Sequence, residues 1–381
     1  MNGIKNTLFA LMITVLLLAS CQLGAPTTPT AAPAVQVDAS PTIQPTDAPT
    51  PQPIVLNPLT GLPVADPALL ERMPIMVKVS NFPREGRPHA GLSFADIVFD
   101  YYIGYGTNRF LAIFYGNDSP SIGPVRSGRL VDAQLVRLYQ GILGYGSADE
   151  DTDAYLVQAL GERALSFQEA PCPAFCGEDT HSVIGVFASS ADISAYAKHN
   201  AIDLGGTPDL EGMHFDATTP QGGTPVEQIN ILFNYYNRAE WHYDPASGTY
   251  LRWIEEMEGD EEDGNFRMIP LLDRVTGQQL AFDNIVIVFA HYIENAPSEH
   301  DVELMKNIEG KRAVFYRDGH MFEGQWKVPS DQAPIQFFDA DGAPFPLKPG
   351  NTWIVLADDN SIFNQKQSGA WELFFVLSPD A

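Results

Sequence analysis

Ile122-Gly-Pro-Val-Arg-Ser-Gly-Arg129 separates an apolar run, Arg109 to Tyr115, from a run with helical periodicity, Leu130 to Gln140. A strand, a turn bounded by Gly and Pro, and a helix form the local unit of an α/β arrangement. In the helical run Leu130, Val131, Gln134, Leu135 and Leu138 fall on one stripe. The turn also sets Arg126 and Arg129 at the mouth of that helix. The chain holds 22 basic residues against 48 acidic ones, so two arginines together mark a place for a specific polar interaction.

Working towards the N-terminus, Ile75-Met-Val-Lys-Val79 reads as a short buried strand ended by Asn81 and Pro83. Ile97-Val-Phe-Asp-Tyr-Tyr-Ile103 is apolar on both faces and is expected at the centre of a sheet. Towards the C-terminus, Gly141 to Tyr145 reads as a strand and Asp153 to Leu160 as a helix stopped by Gly161. Ser182 to Phe187 reads as extended. Ser189-Ser-Ala-Asp192 reads as an N-cap for a helix reaching His199. These elements define an N-terminal mixed α/β domain over residues 56–205. A Gly/Thr/Pro-rich linker is expected at 206–225. Beyond it, at 226–381, the texture changes to a mainly antiparallel β domain, sandwich or barrel-like, so the fold class is α+β. Its strands include Ile229 to Phe233, a hairpin of Glu240–Tyr243 and Thr249–Trp253, and Ile285 to Phe289. A second hairpin turns at Asp318-Gly319, and Ile335–Phe338, Thr352–Leu356 and Trp371–Val376 follow.

The ends of the chain address the compartment. Lys5 and the apolar run Leu8 to Leu18 form a signal peptide over residues 1–20, too short for a comfortable membrane span. Leu18-Ala-Ser-Cys21 follows it as a lipobox, so Cys21 is expected to carry lipid. Residues 21–55 are rich in Pro, Thr and Ala and read as a disordered tether. At roughly 3 Å per residue it reaches up to about 100 Å. With Cys21 acylated, Cys172 and Cys176 remain as an even pair in an oxidising compartment, which predicts a disulfide closing a very small loop. A zinc site built on them, with His181, lacks further ligands in a defined arrangement. The net charge of −26 argues against nucleic acid as a partner.

Asn57-Pro-Leu-Thr-Gly-Leu62, Arg87-Pro-His-Ala-Gly-Leu-Ser-Phe-Ala-Asp-Ile-Val98, Thr107-Asn-Arg-Phe-Leu-Ala-Ile-Phe114 and the Ile122–Arg129 turn together resemble the YerB-like bacterial lipoproteins. Tyr243 to Arg252, Thr276-Gly277, Gly324-Gln-Trp-Lys327 and Pro349 to Ile354 extend the resemblance through the second half. It implies a lipid-anchored, extracytoplasmic, two-domain protein at the outer face of the bacterial membrane. Both domains of that family carry labels of unknown function, so it implies no reaction. The chain departs from the family at Ser147 to Asp153, where a Gly-Gly-Ser segment is usual. The Cys172–Cys176 loop and the acidic Glu258 to Gly264 read as insertions.

Among groups that carry chemistry, Arg126 and Arg129 either bind a carboxylate or phosphate, helped by the helix amides, or pair with Asp96 or Asp100 to lock the turn. Asn81, Arg87, Asp96 and Arg109 lie in motifs that converge with them on one ligand-binding pocket. Asp149, Asp151 and Asp153 alternate as in a calcium loop. Ala154 and Leu160, however, stand where such a loop needs Gly and Glu, so a solvated helix start is the expectation. Ser127 has no histidine nearby to act as its base. His89 reads as a surface residue, and the five tryptophans read as core rather than as a sugar-stacking face. No metal and no cofactor are expected. The function expected is a non-catalytic binding or accessory module for a cell-wall glycan or an envelope protein. The alternative is an envelope hydrolase or transferase acting on peptidoglycan or a surface glycan.

Overall fold

A computed structural model describes residues 54–177, 182–203, 205–257 and 266–379. The signal peptide, Cys21, nearly all of the tether, His181 and the acidic Glu258 to Gly264 lie outside the described residues. Within residues 53–381 the chain forms one compact unit, and strand residues far outnumber helical ones.

Its backbone is a large mixed sheet. Three early strands, β1 (Ile75–Ser80), β2 (Ile97–Gly104) and β3 (Thr107–Phe114), lie in the order β2-β3-β1. On the far side of β1, β4 (Ile142–Tyr145) and then β5 (Ala164–Ser166) continue the sheet in parallel. On the far side of β2 the sheet takes its next strand from the end of the chain. Thr352–Asp358 runs parallel to β2, pairing Ile97 with Thr352 and Tyr101 with Leu356. Asn284–Ala290, Lys311–Arg317, His320–Lys327 and Gln336–Asp339 then follow outward. Every residue of Asn284–Ala290 and Thr352–Asp358 is buried. That accounts for their unbroken apolar sequence, since a strand covered on both faces has no reason to alternate.

Most of the remaining C-terminal strands form a second sheet, ordered Phe266–Pro270, Thr249–Met257, Asn237–Asp244, Gln228–Asn234, Ala370–Phe374 and Ile362–Gln367, while Tyr292–Ala296 and Glu299–Val302 pair with each other apart from both sheets. Most C-terminal strands are thus divided between two large sheets, and one of these is shared with β1 to β5. Residues expected as a linker carry His214–Phe215, paired with Pro346–Leu347, and Thr224–Pro225, paired with His320 and Met321. The expected extended run from Ser182 is turn and loop except for Phe187–Ala188. Gly185 falls in the middle of this otherwise apolar run, and a turn replaces the strand over Val183 and Ile184.

A buried aromatic cluster joins the two sheets. The Trp353 ring lies 5.2 Å from Trp241, 5.2 Å from Phe282 and 5.0 Å from Phe110, edge to face. Arg252 lies among them with its guanidinium 4.1 Å above Trp353, and it pairs with Asp100 at 3.4 Å. Trp241, Trp326 and Trp353 are fully buried, whereas Trp253 and Trp371 are half-buried at the second sheet. His89, expected at the surface, is also fully buried, with its ring 5.1 Å from Phe110. Burial and the nearby Arg87 and Arg252 push its pKa well down, so it is held neutral.

Three α-helices lie among the described residues: α1 (Leu130–Leu138), α2 (Glu150–Leu160) and α3 (Ser190–His199). Asp149 caps α2 by accepting from the Thr152 amide at 3.0 Å, and Asp153 accepts from the Tyr145 hydroxyl at 2.8 Å. The alternating aspartates therefore begin a helix. Cys172 and Cys176 are joined as a disulfide.

Candidate functional site

The turn that opened the sequence reading is clamped between two strands. Ser80 donates its amide to Pro124 at 2.9 Å, Arg126 donates to Lys78 at 3.0 Å, and Gly146 donates back to Arg126 at 2.9 Å. A Cβ on Gly128 would stand 2.6 Å from Leu156 Cδ1 of α2, so a larger residue there would require that side chain to shift. The start of α1 is fixed by Asp132, whose Oδ2 accepts from the Arg129 amide at 2.7 Å. Its Oδ1 accepts from Lys78 Nζ at 3.0 Å and from the Tyr101 hydroxyl, and Lys78 also donates to that hydroxyl. Lys78 and Asp132 are wholly buried. Burial, then the nearby Arg109 and Arg129, push Lys78 down to about 7 against the pull of Asp132.

Above this buried pair stand three arginines. Arg109 on β3 is 8% exposed and donates from Nη1 to the Ser127 carbonyl at 2.8 Å. Arg129 donates to the Gly128 carbonyl at 2.7 Å. Arg126 is half-buried, and its Nε and that of Arg129 are buried without a hydrogen-bond partner. None of the three forms an ion pair with a described carboxylate. Burial together with the neighbouring arginines lowers the pKa of Arg109, most of all, and that of Arg126. Arginine keeps its proton in such surroundings, so these guanidiniums stay charged although burial and one another oppose it.

A cleft of about 950 Å³ opens beside them. Arg109 and Arg126 line one part of it. Arg84 and Arg87, on the loop after β1, line another, and the ends of Thr249–Met257 and Phe266–Pro270 supply a wall. Arg84 Nε and Arg87 Nη1 reach Glu255 Oε1 at 3.1 and 2.9 Å. Arg87 also donates to the Glu255 and Asn81 carbonyls, each at 3.0 Å. The Phe82 ring lies 4.9 Å from the Arg84 guanidinium and 4.8 Å from that of Arg87.

Of the residues the sequence gathered into one pocket, Arg87, Arg109 and Arg126 line this cleft. Arg129 flanks it, close enough to Arg109 and Arg126 to depress both. Asn81 is buried behind it, donating to Asn108 at 2.6 Å. Asp96 is not among the lining residues. It is wholly buried at the other end of β2, accepting from the amides of Tyr115 and Gly116 at 2.6 and 3.0 Å and from Asn57 at 2.9 Å. Burial nevertheless pushes it up to about 6. Asp100 is committed to Arg252, Asn108 and Trp353. The locking pairs with Asp96 or Asp100 expected for Arg126 and Arg129 are therefore absent, because both carboxylates are satisfied elsewhere. Sequence reasoning missed Arg84 and Glu255. A signal for Glu255 existed, since it interrupts the strand run Thr249–Met257 with a carboxylate that had to find a cation. Nothing local pointed to Arg84 and Arg87, more than 160 residues earlier.

Fold and cleft together define a β-rich protein whose one chain builds a shared mixed sheet and a cationic cleft. The family models for "Protein of unknown function (DUF3048)" match it twice, the N-terminal domain over residues 59–203 and the C-terminal domain over 229–354. "Putative lipoprotein YerB" of Bacillus subtilis (strain 168) is 28% identical over 322 residues, spanning 79% of this chain and 86% of that protein. The crystal structure of the YerB protein from Bacillus subtilis matches with a TM-score of 0.63 at 26% identity, covering 80% of this chain and 96% of that one. The chain belongs to the YerB-like family.

Proposed function

We propose that this is a lipid-anchored envelope protein, non-catalytic, that binds an anionic group of a cell-wall component or envelope partner in the arginine-lined cleft. The anchoring half of the reading rests on the lipobox at Cys21 and on the word lipoprotein in the name of the Bacillus subtilis relative. It places the folded unit outside the membrane, at the end of the Pro/Thr-rich tether. The binding half is carried by a single observation: Arg109, Arg126 and Arg129 cluster beside an open cleft without a carboxylate partner, in a chain of net charge −26. With so many carboxylates available, three neighbouring guanidiniums left unpaired are best explained by an anion that arrives from outside. Arg87 and Asn81 shape the wall, and Asp96 holds the far end of β2.

Retention on purified cell walls tests the binding half. Wild type is expected to be retained and Arg126→Gln to be retained several-fold less at low salt. Equal retention of the two removes the arginine cluster from the reading. For the anchor, Cys21→Ser is expected to move the protein from the membrane fraction to the soluble one.

A further inference from the structure

The cleft is electrically divided. Arg84 and Arg87 share the buried Glu255 carboxylate, so part of the charge on the wall they form is already met from within the fold. Arg109 and Arg126 line the cleft with no carboxylate partner, and Arg129 presses on both. The rest of the lining is largely apolar, with Phe82, Ile103, Ile254, Met257, Ile269 and Leu272, and carries Glu85 and Glu256 as well. Leu272 on this lining is 42% exposed and so open to contact from the cleft. About 950 Å³ suits a small molecule or one chain of a larger one. The surrounding charge of −26 disfavours a long polyanion, whose many phosphates or carboxylates would meet a largely acidic surface.

Resting on the anion-binding reading above, we infer that the ligand is an amphiphile with one anionic head, carboxylate or phosphate, and one apolar chain. The head sits at Arg109 and Arg126, where the guanidinium fork bonds either oxyanion. The chain lies along Phe82, Ile254 and Ile269 towards Leu272. Its transfer from water supplies affinity in proportion to length, while the head fixes its direction.

Isothermal titration of the Pro53–Ala381 unit, which contains the whole folded core, tests this below micellar concentrations. The probes are acetate, octanoate, decanoate and dodecanoate, then inorganic phosphate with octyl and decyl phosphate, then a long polyphosphate. Affinity is expected to rise about two- to four-fold per methylene in whichever series carries the true head. The series with the tighter short member separates a carboxylate from a phosphate source. Arg126→Gln is expected to weaken every probe ten-fold or more, and Leu272→Asp, at the rim, to flatten the length dependence while leaving acetate and phosphate unchanged. Equal affinity for short and long probes, with Arg126 still required, overturns the amphiphile and leaves the anion site standing. Polyphosphate binding more tightly than every alkyl probe overturns it too. Indifference of all probes to Arg126→Gln overturns the anion site itself.

Discussion

Two sets of arginines face one cleft, and their surroundings treat them oppositely. Arg84 and Arg87 converge on Glu255, which is buried and belongs to a strand more than 160 residues later. Arg109 and Arg129 donate to backbone carbonyls with Asp132 near both, and none of the three pairs with a carboxylate, although Asp100 lies on the neighbouring strand β2 and Asp96 just before it. The first set is a structural device that ties the loop after β1 to the second sheet. The second set holds the turn through the Ser127 and Gly128 carbonyls but has no carboxylate partner for its charge. A carboxylate in a strand can serve only the face it points to, and Asp100 points at Arg252 and Trp353.

The comparison breaks most visibly if Glu255 is removed. Glu255→Gln leaves two arginines at a buried site with their carboxylate gone, and neither can shed its proton. The expected loss is about 3–5 kcal/mol of unfolding free energy, read by chemical denaturation. A loss below about 1 kcal/mol would be that of an exposed surface pair and would end the contrast.

Asp132 offers a milder version of the same experiment. It caps α1 and serves Lys78, so Asp132→Asn removes a buried counter-ion from beneath the unpaired set. Lysine, unlike arginine, can respond by releasing its proton, and Lys78 is already lowered to about 7. The expected cost is therefore smaller than for Glu255→Gln, about 2–3 kcal/mol. A cost equal to or larger than that of Glu255→Gln means that Lys78 keeps its charge.

The strands and the helix around the arginine turn were legible because their signals are local. Ile75–Ser80, Ile97–Gly104 and Leu130–Leu138 announce themselves through burial on two faces or on one stripe. Phe266–Pro270 and Ile362–Gln367 did not, being edge strands of the second sheet with largely exposed side chains. The placement of Thr352–Asp358 beside β2 was equally hidden, since an apolar strand carries no label naming its neighbour. The same limit governed the site. Arg87, Arg109 and Arg126 could be listed as cations in motifs, but which of them is neutralised depends on Glu255, Asp96 and Asp100, whose partners lie across long separations. Asp96 was placed with the arginines because it is near them in sequence patterns, and the sheet carries it to the opposite end of β2.

Acidity adds a third handle on the comparison. Lys78 faces Asp132, Tyr101, Arg109 and Arg129. Its folded pKa, about 7, lies below its ordinary 10.5, so between these values the unfolded chain binds the proton that the folded one has released. Stability contributed by this group therefore rises as pH increases from about 7 towards 10.5. Denaturation at a series of pH values is expected to show that rise in wild type and to lose it in Lys78→Met. An unchanged slope in the variant assigns the rise to other groups. The charge on Lys78 also adds to the field at Arg109 and Arg129, so anion affinity is expected to be greater below pH 7 than above it.

The smallest expected effect on stability is the most informative. Arg126 forms no ion pair and is pressed by Arg129, with its Nε buried and unbonded. Arg126→Gln removes like-charge repulsion and loses only side-chain packing, so its unfolding free energy should stay within about 1 kcal/mol of wild type, on the stabilising side at low salt. The aliphatic part of glutamine retains some of that packing, which keeps the comparison about charge. A substitution that leaves the fold intact or firmer while removing anion binding is the signature of a residue held at a cost to stability for an external partner. A destabilisation of several kcal/mol would instead place Arg126 with Arg84 and Arg87 as a structural cation, and the two sets would no longer differ.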